Sequence, residues 1–263
     1  MPTLNKLSSI LIAVTLTACT ASPTGRNQVL LFSDSDMNSL GAQSFEQMKQ
    51  QQPISKDARV NAYVQCVARS VTQHVPKQAS FSDWEVVVFD SDQVNAFALP
   101  GGKIGVYTGL LNVAKNQDQL ATVIGHEIAH VLADHSNERL SQSQLASAGL
   151  QITNVALGSS DYAQYRNVTM AALGLGVQYG VLLPYGRSQE SEADIVGLEL
   201  MANAGFDPNQ SVSLWQNMAA ASGGNQPPEL LSTHPSHKTR IQDLKSTIAR
   251  LPTTNTTRPN CEK

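Results

Sequence analysis

His126-Glu127-Ile128-Ala129-His130 is the stretch from which both the fold and the chemistry of this chain are read. It lies in a run where Leu120, Val123, Ile124, Ile128, Val131 and Leu132 recur at helical spacing. Asn116 precedes that run as a candidate N-cap, with Gln119 three residues on in the capping-box position. Residues four apart are about 400° round a helix, so His126 and His130 share a face and both imidazoles can reach one ion. Zinc favours such nitrogen ligands. Glu127 lies about 100° round from His126, where a carboxylate can take a proton from an activated water and pass it to a leaving amine. A solvated helix face also accommodates two histidines at this spacing, so the motif calls for a third ligand.

The metzincin solution, a third histidine six residues on with a glycine between, is absent, because those positions hold Ser136 and Ala133. His135 falls at the wrong offset and is expected to solvate the helix end. An acidic ligand from a second helix remains, and Glu190-Ser191-Glu192-Ala193-Asp194 offers it within a helix predicted over 189–204. Glu190 and Asp194 share a face, whereas Glu192 points elsewhere. Glu190 is therefore the expected third ligand. Asp194 is expected to bond the outer nitrogen of a ligand histidine, His126 first, which fixes its tautomer. The alternative for this patch is a solvated acidic first turn that suits the helix dipole.

An H-E-x-x-H followed some sixty residues later by E-x-x-A-D resembles the gluzincin metallopeptidase family of the CAAX prenyl proteases and HtpX. Within it, the chain is similar to the periplasmic lipoprotein members, the LoiP-like and BepA-like proteases. The stretch from Asn95 to Gly102, the stretch from Val106 to Leu111, and Leu231-Ser232-Thr233-His234-Pro235 with Arg240 also match that pattern. The resemblance implies an α+β fold, a mostly helical zincin-like domain with a small β-sheet. It implies one zinc ion held by His126, His130 and Glu190, with Glu127 as general base. It further implies that Asn95, Ala96, Phe97 and Ala98 form an edge strand that pairs with an extended peptide substrate. His234 would stabilise an oxyanion or, in an inactive state, block the water site, with Arg240 backing it through fixed positive charge.

Outward from the motif, the polar stretch 34–51, ending before Pro53, reads as helical, and apolar spacing predicts a helix over 55–74. The runs 84–89, 95–99 and 104–108 read as strands, the last two around a turn at Pro100-Gly101-Gly102. The run 168–183 is apolar but too short to span a bilayer, so it reads as a buried or mobile helix. The low-charge segment 137–187 lies between the two ligand helices, where a lid or plug could sit. Asp207 and Pro208 open a further helix, a Gly/Pro-rich loop covers 222–235, and a last helix covers 236–251. One domain over 31–251 with a tail over 252–263 is the simplest account.

With 41% hydrophobic and 15% charged residues, the 263-residue chain reads as globular. A net charge of -3 without a basic stripe excludes nucleic acid as a partner. Three cysteines exclude a disulfide scaffold and a multi-cysteine zinc ribbon. Lys6 and the apolar run from Leu7 to Thr17 read as a signal peptide over 1–18. Leu16-Thr17-Ala18-Cys19 resembles a bacterial lipobox, which implies lipid on Cys19, followed by a tether over 19–30. With no aspartate after Cys19, sorting to the outer membrane, on its periplasmic face, is expected. Cys66 and Cys261 are then left in an oxidising compartment, where a bridge between them is expected. The function so implied is an envelope zinc endopeptidase acting on misfolded or outer-membrane proteins, with assembly partners there. The alternative is a chaperone or assembly factor with a largely closed metal site.

Overall fold

The computed structural model describes residues 19–76, 81, 83–160, 162–178, 182–221 and 237–262. Residues 1–18 and His234 lie outside the described residues. The chain enters as a hairpin of two three-residue strands, β1 (Cys19–Ala21) and β2 (Asn27–Val29), paired antiparallel. A tether was expected here. The turn instead closes on itself, with the Gly25 N–H donating to Ser22 O at 2.8 Å and the Ser22 N–H to Arg26 O at 2.8 Å.

Helix α1 (Asp34–Gln51) begins at Ser33, whose side chain forms a capping box with Asp36. Helix α2 (Ala58–Thr72) is capped by Asp57, and it buries Tyr63, Val64, Val67, Ala68 and Val71. A three-stranded sheet follows in the order β3 (Glu85–Phe89), β5 (Lys103–Tyr107), β4 (Ala96–Leu99). β3 runs parallel to β5 and β4 antiparallel to it. Gly101 and Gly102 turn the chain from β4 to β5 at φ of 80° and 72°, a conformation that side chains with a Cβ resist. Alternation along the strands divides two packing zones. Val88, Ala96, Ala98, Ile104 and Val106 join the main core. Phe89, Tyr107 and Phe97 close a smaller aromatic cluster around Phe45 of α1.

The helices that follow are α3 (Gln117–Leu132), α4 (His135–Gly158), α5 (Arg166–Val177), α6 (Leu183–Asn203), α7 (Gln210–Ala221) and α8 (His237–Ile248). The Asn116 side chain caps α3 through the Gln119 N–H at 2.9 Å. Gln119 reaches back one residue further than a capping box requires, accepting from the Lys115 N–H at 2.7 Å. Two expectations need correction. The Ser/Gln/Ala-rich stretch after the motif forms the 24-residue α4, and α5 buries none of its residues. Of the apolar run 168–183, α5 covers the described residues as far as Val177, and α6 starts at Leu183 with Pro184 in its first turn. Proline lacks an N–H and is accepted in a first turn. No helix among the described residues is long and apolar enough to cross a membrane.

The C-terminal segment has no helix or strand, yet it is tied to the core. The Gln117 amide donates to Pro259 O at 2.8 Å and accepts from the Cys261 N–H at 2.7 Å. Arg258 pairs with the buried Asp118 of α3. A disulfide joins Cys66 of α2 to Cys261 across 195 residues of sequence. Closing so long a loop restricts the unfolded chain strongly. The paired change of Cys66 and Cys261 to serine is expected to cost about 2–4 kcal/mol in urea denaturation, with the helices unchanged by circular dichroism.

Candidate metal centre

The site is built by two helices that approach backbone to backbone. α3 and α6 pack together more extensively than any other pair. Their closest approach is at Gly125 and Gly197: a Cβ on Gly125 would stand 2.8 Å from Gly197 O, and one on Gly197 would stand 2.7 Å from His126 N. Only glycine at both places lets α6 lie this close. One residue along α3 comes His126, and two turns back along α6 comes Glu190.

The structure brings the side chains of His126, His130 and Glu190 together. One donor atom from each lies within 4.8 Å of the others. The two Nε2 atoms are 3.1 Å apart, and Glu190 places Oε2 3.4 Å from His126 Nε2 and Oε1 3.4 Å from His130 Nε2. Two ligands each about 2.0–2.1 Å from a tetrahedral ion stand about 3.3–3.4 Å apart, so the spacing fits a zinc-sized cation. The protonation pattern fits as well. Asp194 Oδ1 accepts from His126 Nδ1 at 3.0 Å, which leaves Nε2 with its lone pair aimed at the other two donors. Three electron-pair donors face one another, an arrangement that requires positive charge between them. Burial and Arg240 push the His126 imidazole down, but Asp194 and Glu190 outweigh them and hold it at about 9. His130 is driven the other way, mainly by burial, to about 3.

Around these donors lie four buried or half-buried carboxylates, Glu138, Glu190, Glu192 and Asp194, each paired with Arg26 or Arg240. With Arg139, whose Nη2 stands 3.5 Å from Glu190 Oε1, three guanidinium groups face the four carboxylates, and net negative charge remains beside the three donors. Arg240 is 3% exposed, donates to Asp194 at 2.6 Å and to Glu190 Oε2 at 3.3 Å, and stacks on Trp215 at 3.8 Å. Its Nη2 also stands 2.9 Å from His126 Nδ1. Arg240 therefore grips both carboxylates that face His126. Its Nε has no hydrogen-bond partner among the described residues.

Glu127 makes no hydrogen bond or ion pair to a described residue, and burial pushes its carboxyl above the ordinary range. β4 is an edge strand whose inner face packs on α3. Asn95 O accepts from the Tyr107 N–H at 3.1 Å, so by alternation the backbone groups of Ala96 and Ala98 face the open side. A cavity of about 250 Å³ lies beside Glu190, lined by Arg139, Gln142, Leu182, Leu183 and Gln189. α4, at the start of the low-charge segment, forms one wall of it.

His135 is the residue that sequence reasoning misplaced. It is 1% exposed, with Nδ1 2.8 Å from His130 Nδ1 and Nε2 3.1 Å from Glu192 Oε2. The expectation of a solvated helix end assumed that α3 simply ran out. Instead Asp134 adopts φ 51°, the left-handed region that aspartate tolerates better than most residues, and α4 starts afresh at His135. The kink turns the ring back onto His130. Glu192 does point away from Glu190, but into the N-terminal hairpin and not to solvent, accepting from Thr24 and Arg26.

The geometry places an H-E-x-x-H helix against a glutamate from a second helix, and a family model confirms what that combination means. The model for peptidase family M48 matches residues 55–248. The chain belongs to peptidase family M48. Its relatives in that family include the mitochondrial metalloendopeptidase OMA1 of Schizosaccharomyces pombe, 39% identical over 163 residues, 62% of this chain and 46% of that protein. Metalloendopeptidase OMA1 of Bos taurus is 34% identical over 239 residues, 86% of this chain and 45% of its own. The beta-barrel assembly-enhancing protease of Escherichia coli is 28% identical over 212 residues, 79% of this chain and 42% of its own. The chain thus spans less than half the length of each of these M48 relatives.

Proposed function

We propose that this M48 chain is a zinc-dependent endopeptidase of the bacterial envelope that cleaves misfolded or outer-membrane proteins. The observation that carries the proposal is the convergence of His126, His130 and Glu190 beside Glu127, whose carboxylate pairs with no described residue. In this reading the three residues hold one zinc ion. Zinc in such a site supplies Lewis acidity, lowering the pKa of water to about 7 and polarising the scissile carbonyl. Glu127 accepts the proton of the attacking water and returns it to the amine that leaves. Asp194 holds the His126 ring, and Arg240 holds Asp194 and Glu190 while contributing fixed positive charge. The open edge of β4, from Asn95 to Ala98, aligns an extended substrate by main-chain hydrogen bonds. His234 is assigned to the oxyanion. Lipid on Cys19 fixes the enzyme to the periplasmic face of the outer membrane. Similarity to the beta-barrel assembly-enhancing protease of Escherichia coli supports an envelope setting, and similarity to the OMA1 metalloendopeptidases supports endopeptidase chemistry.

Chelation tests the reading directly. Casein cleavage by the full chain is expected to stop when a chelator strips the protein and to return with stoichiometric zinc. Undiminished cleavage by metal-free protein would contradict it.

One observation favours a second reading, client retention with little turnover. α4 and α5 expose Ile152, Val155 and Val168 at 72%, 70% and 74%, an apolar surface of the kind that marks interaction sites. Unfolded-client retention by Glu127→Gln, with no turnover by wild type, would select this reading.

A further inference from the structure

The outer nitrogen of His130, Nδ1, meets no carboxylate among the described residues. The partner of its outer nitrogen is His135, and the contacts beyond decide where the protons lie. Glu192 Oε2 accepts from His135 Nε2 at 3.1 Å. With one proton on that ring, His135 Nδ1 is bare and accepts from His130 Nδ1 at 2.8 Å. His130 Nε2 is then bare too, facing His126 and Glu190. One proton on each of these two rings satisfies both contacts of His135 and leaves His130 Nε2 with its lone pair toward the site. Reversing the relay would put a proton on His130 Nε2 and close it to a metal.

The carboxylate that sets this order is itself held from the N-terminal hairpin. Glu192 Oε1 accepts from Thr24 N at 3.1 Å and Thr24 Oγ1 at 2.7 Å. Its Oε2 accepts from Arg26 Nε at 3.1 Å and Nη2 at 3.0 Å. Arg26 also forks onto Glu138 at 2.6 and 2.7 Å. Glu138 in turn accepts from Gln189, the neighbour of Glu190, at 2.6 Å. Glu138, Glu192 and His135 are all at most 3% exposed. Burying this much charge is costly, and well-packed apolar side chains would serve stability equally well.

We infer that His135 and Glu192 are positioning residues of the metal centre, and that Thr24 and Arg26 of the hairpin opening at Cys19 hold them in place. The inference rests on His126, His130 and Glu190 being the metal ligands. A ligand histidine is ordinarily oriented by one outer partner; here the orientation of His130 passes through a second imidazole to a carboxylate clamped by the turn of the β1–β2 hairpin. Loss of the hairpin contact therefore loosens a metal ligand.

Nitrogen-15 NMR of the six histidines in the zinc-free full chain tests the relay without any substitution. His130 is expected as the Nδ1–H tautomer, and a proton found on Nε2 would overturn the inference. Zinc affinity, measured by competition with a chromophoric chelator, gives the second readout. His135→Phe is expected to weaken binding about 10–100-fold, while His135→Gln, whose side-chain oxygen can still accept from His130, keeps most of it. Arg26→Ala is expected to weaken binding about tenfold, within the range for outer partners. Wild-type affinity in both His135→Phe and Arg26→Ala would overturn the inference and leave the ligand assignment standing. A wild-type chain that binds no zinc would remove the ligand assignment, and the tautomer would still decide the relay. Should His135→Phe fail to fold, Arg26→Ala and the tautomer carry the test.

Discussion

Glu127→Gln is expected to bind zinc as wild type does while losing about 10²–10⁴-fold in casein cleavage, the usual worth of a positioned general base. The exchange keeps shape and volume and removes only the ability to take a proton. Glu127 is well suited to show so clean a separation, because no hydrogen bond or ion pair ties its carboxylate to another described residue. Glu190 contrasts with it, facing both imidazoles and bonded to Arg240. Metal content and cleavage measured on the same preparation give the result. Full hydrolysis by the glutamine variant would remove Glu127 from its role. Loss of zinc along with cleavage would make it part of the binding site.

His130→Ala is expected to lose both. The change deletes one of three donors, so zinc affinity should fall by more than the 10–100-fold that changes to outer partners produce, and casein cleavage should vanish with it. It also strands His135, whose buried Nδ1 loses the group it accepts from. An unpaired buried polar atom costs about 1–3 kcal/mol, so the zinc-free variant should also melt below zinc-free wild type. Metal analysis after gel filtration and a thermal melt together check this. Stoichiometric zinc in the alanine variant would exclude His130 as a ligand.

Where local chemistry decides, the elements could be read from the sequence. α1 runs over the polar stretch 34–51 read as helical, because Ser33 and Asp36 set its start locally. The β-branched run before Phe89 and the Pro100-Gly101-Gly102 turn give strands within a residue or two of those expected. The histidine pair and the distant glutamate were legible for a different reason: helical spacing places side chains on faces regardless of what packs around them.

The outer part of the site was not legible, because it depends on events that spacing does not record. A single left-handed residue, Asp134, turns His135 back toward the histidine five positions before it. The hairpin that clamps Glu192 has strands of three residues, too short for any alternation to register. α4 was missed because serine, glutamine and alanine alternate there without an apolar stripe, and only its first turns are buried. The approach of α6 to α3 through Gly125 and Gly197 looks in the sequence like two unremarkable glycines in helices.

The most direct measurement is anomalous diffraction at the zinc edge from crystals of the full chain grown with zinc. A single strong peak bounded by Nε2 of His126, Nε2 of His130 and the carboxylate of Glu190 is the predicted result. A peak elsewhere, or density at the imidazole pair that Glu190 does not touch, would contradict the central claim.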